Sequence, residues 1–156
     1  IRKNPKGLEA VVAKEITINE KGINHPMYDG KSRIFDAFCW HYDDTETLPS
    51  NSKVLASNKK SEVQSLTFDI NESKIWAVQY HPEFDPLWIA GLMKQREEVL
   101  LQENVFSKKK YFEEEFEFFS NYKDIVDENN RKKYKDLINI NNHTLELSNW
   151  VHQLRN

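Results

Sequence analysis

The pair in this sequence best suited to chemistry is His81 and Glu83, separated by Pro82. A histidine relays protons near neutral pH, and a neighbouring carboxylate can fix its tautomer and stabilise the imidazolium. Pro82 breaks any strand pleat between them, so the two side chains are free to meet. Taken alone, His-X-Glu is a weak signal, and a hydrogen-bonded polar pair at a strand end is the better reading of it. The cluster His41-Tyr42-Asp43-Asp44, at the end of an apolar run, is second in interest. The only thiol is Cys39. Phe38 and Trp40 flank it without a glycine, so the sharp turn that exposes a nucleophile is not built there, and a buried strand position is expected. His25, His41, Asp43, His81 and Glu83 are natural metal ligands. However, no Pro-Cys-X-X-Cys accompanies the His-X-Glu, and there is no His-Glu-X-X-His. No metal and no cofactor are therefore expected, and no Gly-rich phosphate loop is present. His25, before Pro26, reads as a turn residue, and His143 and His152 read as surface residues.

The elements that must position these groups follow from the apolar pattern. Ile75–Val78 is a short continuous apolar run, as expected for a strand covered on both faces. The chain turns polar at Gln79, and Pro82 and Pro86 stop the strand. Asp85 is a good N-cap, Pro86 fits a first helical position, and Leu87, Trp88, Ile89, Leu92 and Met93 supply an apolar face. A helix is expected from about Pro86 to Glu103. His81 and Glu83 thus lie where a strand stops and a helix starts, the side on which open α/β sheets bind ligands. Upstream, Asn4-Pro5-Lys6-Gly7 is a turn signal. Strands are expected over Leu8–Ile18, Arg33–Trp40, Lys53–Ser57, Glu62–Ile70 and Lys74–Tyr80, with a loop and room for one helical turn over Asn19–Gly30.

Composition narrows the function class. The chain has 156 residues, 38% hydrophobic and 30% charged, with a net charge of −3. This suits one soluble globular domain. No apolar run reaches the roughly 18 residues of a membrane span. The net charge gives no argument for nucleic acid, and the single cysteine fits a reducing, cytoplasmic setting. From Ser107 glycine and proline disappear, and Lys108–Lys110 is followed by Glu113, Glu114, Glu115 and Glu117. Phe112, Phe116 and Phe119 recur at helical spacing. The acidic run cancels the basic one, so this reads as a solvated charged face over an aromatic stripe. Residues 104–156 are expected to be a helical extension, with Leu147, Trp150, Val151 and Leu154 on a terminal helix.

Gln79-Tyr80-His81-Pro82-Glu83, between a strand and a capped helix, resembles the signature that closes the active site of class I (triad) glutamine amidotransferases. Asn4-Pro5-X-Gly7, His25–Gly30, His41-Tyr42-Asp43, Val54–Asn58 and Val63-Gln64 occur in that family in the same order. They are most similar to stand-alone proteins related to the amidotransferase domain of GMP synthase. The resemblance covers about residues 1–100. It implies an α/β, flavodoxin-like fold with a mixed sheet, of which residues 1–103 would be the C-terminal half. It also implies hydrolysis of the glutamine side-chain amide by a Cys-His-Glu triad, with His81 as the general base and acid and Glu83 as its orienter. The loop matching His41 and Tyr42 lies beside bound glutamine in the GMP synthase domain, which makes these two the expected substrate-binding residues. Trp40 stands where that loop has Ser, and Tyr42 replaces a small residue.

In the family the nucleophile sits in a Gly-X-Cys-X-Gly elbow upstream of Asn-Pro-X-Gly. The chain is accordingly expected to be a fragment, lacking the nucleophile and inactive alone, whose partners include the missing N-terminal half and glutamine or a γ-glutamyl small molecule. Two further readings stay open: a γ-glutamyl peptidase or hydrolase on the same fold, and a catalytically inactive binding module. The uncovered edge of a half sheet leads us to expect self-association, and the helical tail is a further candidate surface for a homo-oligomer or partner protein.

Overall fold

The structure, a computed structural model, describes residues 1–124 and 128–155, without the side chain of Asn130. The helical expectation for residues 125–127 and 156 lies outside it.

Alternating apolar residues build the centre. β2 (Glu9–Ile18) pairs antiparallel with β3 (Ile34–His41) and, at its far end, with β5 (Lys53–Ser57). β6 (Ser65–Ile70) and β7 (Ser73–Val78) continue the sheet in the order β3-β2-β5-β6-β7. A two-residue pair, β1 (Arg2–Lys3) with β4 (Asp43–Asp44), stands beside it. Every described pairing is antiparallel, so the parallel neighbours of a mixed sheet are not among them. The connections explain this. β6 and β7 are joined by a tight turn with Asn71 at φ 53°, and a parallel pair would need a crossover of a dozen residues or more. β2 carries a bulge between Ala13 and Ile16, where Glu15 takes φ 53°.

Both faces of β3 are covered. Phe35, Ala37 and Cys39 point into one apolar cluster with Ile16, Ile18, Met27, Tyr28, Leu55 and Tyr80. Phe38 points the other way, into a cluster with Leu8, Val12, Ile89, Met93, Phe112, Phe119 and Leu137. That second cluster includes α2 (Pro86–Gln95), α4 (Lys109–Ser120) and α6 (Lys135–Ile138). Of the expected stripe on α4, Phe112 and Phe119 are buried and Phe116 is partly buried against the same cluster, with Phe118 buried beside them. The helix expected over Pro86–Glu103 is two helices. α2 ends at Arg96, whose N–H bonds back to both Leu92 and Met93, and α3 covers Glu97–Gln102.

The Asn19–Gly30 loop holds α1 (Glu20–Ile23), capped by the Asn19 side chain, and a 3₁₀ turn at Pro26–Tyr28 capped by His25 Nδ1 at 3.2 Å from the Met27 N–H. α1 lies so close to β5 that a Cβ on Gly22 would sit 2.4 Å from the Leu55 carbonyl oxygen. Short helices α5 (Glu128–Lys133) and α7 (Ile140–His143) lead to α8 (Leu145–Leu154), which packs on the 3₁₀ turn.

Two expectations change. Ile75–Val78 is half-buried rather than enclosed, because β7 is the outermost strand of the described sheet. His143, expected at the surface, is buried against Phe38 with Nδ1 2.8 Å from the Leu137 carbonyl. His152 is exposed. No helix among the described residues is long and apolar enough to cross a membrane.

Candidate functional site

Backbone bonds to neighbouring strands place the His81 junction. After β7 ends, the Gln79 N–H donates to the Gln64 carbonyl at 2.8 Å. Tyr80 then makes an isolated antiparallel bridge with Cys39, and the His81 N–H donates to the Phe38 carbonyl at 2.7 Å. Asp85 caps α2 through the Trp88 N–H at 2.8 Å, with Pro86 in the first turn. The strand stop and helix start expected from the sequence therefore hold His81 between two anchored segments.

His81 Nδ1 and Glu83 Oε1 are 2.7 Å apart. The carboxylate can only accept, so Nδ1 carries the proton and Nε2 is left to face a reacting group. Among the described residues nothing hydrogen-bonds Nε2. The imidazole lies flat on the Phe84 ring, with centroids 4.0 Å apart and planes 3° apart, and Trp88 tilts over Phe84 at 3.9 Å. The pair is open to one side: the side chains of His81 and Glu83 are 32% and 56% exposed. Such an arrangement can take a proton from a nucleophile and return it to a leaving group.

His41 is placed differently. Its Nε2 is 2.9 Å from Glu9 Oε2 and its Nδ1 is 3.0 Å from the Asp43 carbonyl, so both ring nitrogens face acceptors. Burial disfavours the imidazolium, but the hydrogen bonds to Glu9 and Asp43 outweigh it, and the net shift of the His41 pKa is upward. Tyr42, next along, is exposed. Glu9, itself buried, also accepts from Asn58 at 2.7 Å and from Gln64 at 2.7 Å. Gln79 Nε2 reaches the Asp43 carbonyl at 3.1 Å. The Asn4 N–H donates to the Tyr42 carbonyl, and its side chain closes the Asn-Pro-X-Gly turn on Lys6. Residues from three separated motifs, His41, Asn58 and Gln64, thus meet on one buried carboxylate, and Gln79 and Asn4 fasten the loop beside it. Gln64 Oε1 is buried and without a hydrogen-bond partner among the described residues.

The sequence alone does not single out Glu9. Its signal was a lone carboxylate in the run Leu8–Ala13, which needs a buried cation or donors to be tolerated. The sequence reads Trp88 only as an apolar helix residue, and Phe84, just before the expected helix, carries no signal there.

Cys39 is fully buried in the middle of β3, opposite Val11, and burial pushes its thiol pKa up, with Glu9 adding to the effect. A thiol of that kind is a poor nucleophile. His25 is held at its turn, edge-on to Trp76 at 5.2 Å. Among the described residues no group of three or more His, Cys, Asp or Glu is arranged to hold a metal ion. A cavity of about 730 Å³ opens elsewhere, between β2 and α4, over Val12, Phe106, Phe118 and Tyr134. Neither His81 nor Glu83 lines it, so it is a seam between sheet and tail rather than part of this site.

Comparison with known proteins bears on the same stretch. A family profile described as "Glutamine amidotransferase class-I" matches residues 6–87. The chain is similar to a gamma-glutamyl-L-1-hydroxyisopropylamide hydrolase of Pseudomonas sp, at 26% identity over 150 residues, which is 94% of this chain and 50% of that enzyme. It is also similar to a glutamine-hydrolysing GMP synthase of Caldicellulosiruptor saccharolyticus, at 35% identity over 71 residues, 41% of this chain and 14% of that enzyme. The chain thus spans half or less of the length of these relatives. The solved structure of SMU.1228c superposes with a TM-score of 0.65 at 18% identity, covering 99% of this chain and 55% of the other, which shows a shared fold. The chain carries the α/β fold and the sequence pattern of class I glutamine amidotransferases, and it belongs to that family.

Proposed function

We propose that this chain supplies the histidine and the acid of a Cys-His-Glu triad that hydrolyses a γ-glutamyl amide, with the glutamine side chain as the first substrate. The His81–Glu83 contact of 2.7 Å at the strand-to-helix junction carries this reading. In the reaction, a thiolate formed as His81 Nε2 accepts its proton attacks the amide carbon. The histidinium protonates the departing ammonia, leaving a thioester, and water deprotonated by His81 then cleaves the thioester to free glutamate and the thiol. Glu83 keeps the ring in the working tautomer throughout. The buried Cys39 is not suited to the first step, so the nucleophile would come from a segment upstream of these residues, and the chain alone would be inactive. Tyr42, exposed at the end of β3, and His41 beside it would contact the substrate. The single buried cysteine fits a cytoplasmic setting.

The second reading is a γ-glutamyl hydrolase acting on amides larger than ammonia, favoured by the Pseudomonas enzyme's similarity across 94% of the chain. Assaying full-length protein with free glutamine and with γ-glutamyl peptides separates the two. Glutamine turnover supports the first; cleavage of the peptides alone sinks it and supports the second. Absence of turnover on both favours an inactive binding module. His81→Ala should lower kcat by about 10²–10⁴-fold or more while the protein stays folded, and activity that survives the change refutes the role given to His81.

A further inference from the structure

One polar cluster is not used by the proposed chemistry and lies directly beneath it. Tyr80, the residue before His81, is fully buried, and its hydroxyl donates to Glu146 Oε1 on α8 at 2.8 Å. The other oxygen of Glu146 holds Lys31 Nζ at 3.0 Å, with side-chain exposures of only 4% and 5%. Lys31 also donates to the Asn142 carbonyl at 2.6 Å and lies 4.6 Å from the centre of the Phe35 ring. Phe35 in turn meets the Tyr80 ring edge-on at 5.6 Å. Tyr28 closes the group, with its hydroxyl 3.1 Å from that of Tyr80 and donating to Ser65 Oγ at 2.6 Å. Burial pushes both phenols well above their ordinary pKa, so both remain neutral hydroxyls. Asn149 fastens α8 to the same region, donating to the Met27 and Asp29 carbonyls at 3.1 and 2.9 Å.

An ion pair at this depth is a costly way to fill space, since apolar residues of equal volume often serve stability as well or better. What it adds is direction: a carboxylate fixed by Lys31 defines where the Tyr80 hydroxyl must sit. Direction is needed at this point of the chain. β7 has ended at Val78, and among the described residues the backbone of Tyr80 and His81 meets β3 through one isolated bridge at Cys39, with the His81 N–H on the Phe38 carbonyl.

We infer that Glu146 and Tyr80, braced by Lys31, are positioning residues for His81, so that the last helix sets the main chain on which the imidazole rides. This inference rests on the role proposed for His81, and its test does not require turnover. In this chain labelled at histidine, the His81 ring protons are shifted by the Phe84 ring stacked on them and so report its placement. Tyr80→Phe and Glu146→Gln, both close to isosteric, should move the His81 ring signals toward those of a free imidazole. The His81 amide should exchange about tenfold faster, while the His25 and His41 signals stay in place. If the single variants do not fold, the paired Lys31→Met, Glu146→Met replacement removes both charges together and carries the same readout. Unchanged His81 signals in folded variants overturn the inference. So does a joint movement of all the histidine signals, which marks a purely structural role. Absence of turnover in full-length protein would sink the proposed reaction and leave this contact tested by itself.

Discussion

His81 and Glu83 sit at the rim, and a hydrogen bond to a carboxylate with that much solvent around it contributes only about 0–1 kcal/mol to folding. Glu83→Gln should therefore leave Tm nearly unchanged, and in full-length protein it should lower kcat much more than it raises KM, because it disturbs the tautomer rather than binding. A rise confined to KM would place Glu83 in substrate binding instead. His41 behaves in the opposite way. Its folded pKa lies above the unfolded value near 6.5, so the stability it contributes is complete below pH 6.5 and is lost as pH rises through the folded pKa. His25 and His143 are both lowered, chiefly by burial, so their contribution is complete above pH 6.5 and is lost as pH falls through their folded values. Thermal unfolding followed against pH should peak near 6.5. Glu9→Gln should lower the whole curve and flatten its alkaline side, since the charge that favours the His41 imidazolium is gone. An alkaline slope equal to the wild type's would disprove the Glu9–His41 coupling. His81 and Glu83 were legible in the sequence because their chemistry is carried by adjacent positions. Glu9 was not, because its partners Asn58 and Gln64 lie 49 and 55 residues away and only the sheet brings them together.

Among the elements, the start of α2 was readable to the residue: Asp85 and Pro86 act locally, through a side-chain bond and a fixed φ, and need no tertiary context. The break at Arg96 was not, since the apolar pattern runs on through Val99 and Leu100 and no proline or glycine marks it. The edge position of β7 was hidden for a related reason, because a continuous apolar run looks the same whether a strand is central or outermost. Gly22 offers a direct test of element packing. A methyl group there would meet the Leu55 main chain, which cannot swing aside as a side chain would. Gly22→Ala should destabilise the protein by about 1–3 kcal/mol in denaturant unfolding, even though alanine is the better helix former. A neutral or stabilising effect would mean that α1 does not lie against β5 as closely as described.

At the scale of the whole molecule, the tail does not stand apart from the sheet. Phe119 and Leu137 share one cluster with Leu8, Val12 and Phe38. Phe119→Ala should cost about 3–5 kcal/mol, and unfolding followed by near- and far-ultraviolet circular dichroism should give coincident transitions. Separate transitions would show that residues 104–156 melt on their own. The ion pair under His81 bears on how the chain reaches this state. Lys31 and Glu146 are 115 residues apart in sequence, so their contact closes one of the longest loops in the fold, and the entropy of closure must be met before the contact gives anything back. It should be absent from the folding transition state. In a stopped-flow chevron, Glu146→Gln should steepen the loss of the native state, raising the unfolding rate and leaving the refolding rate unchanged. The helix that braces the histidine would then be a late arrival, and its departure would govern how long the site persists once formed.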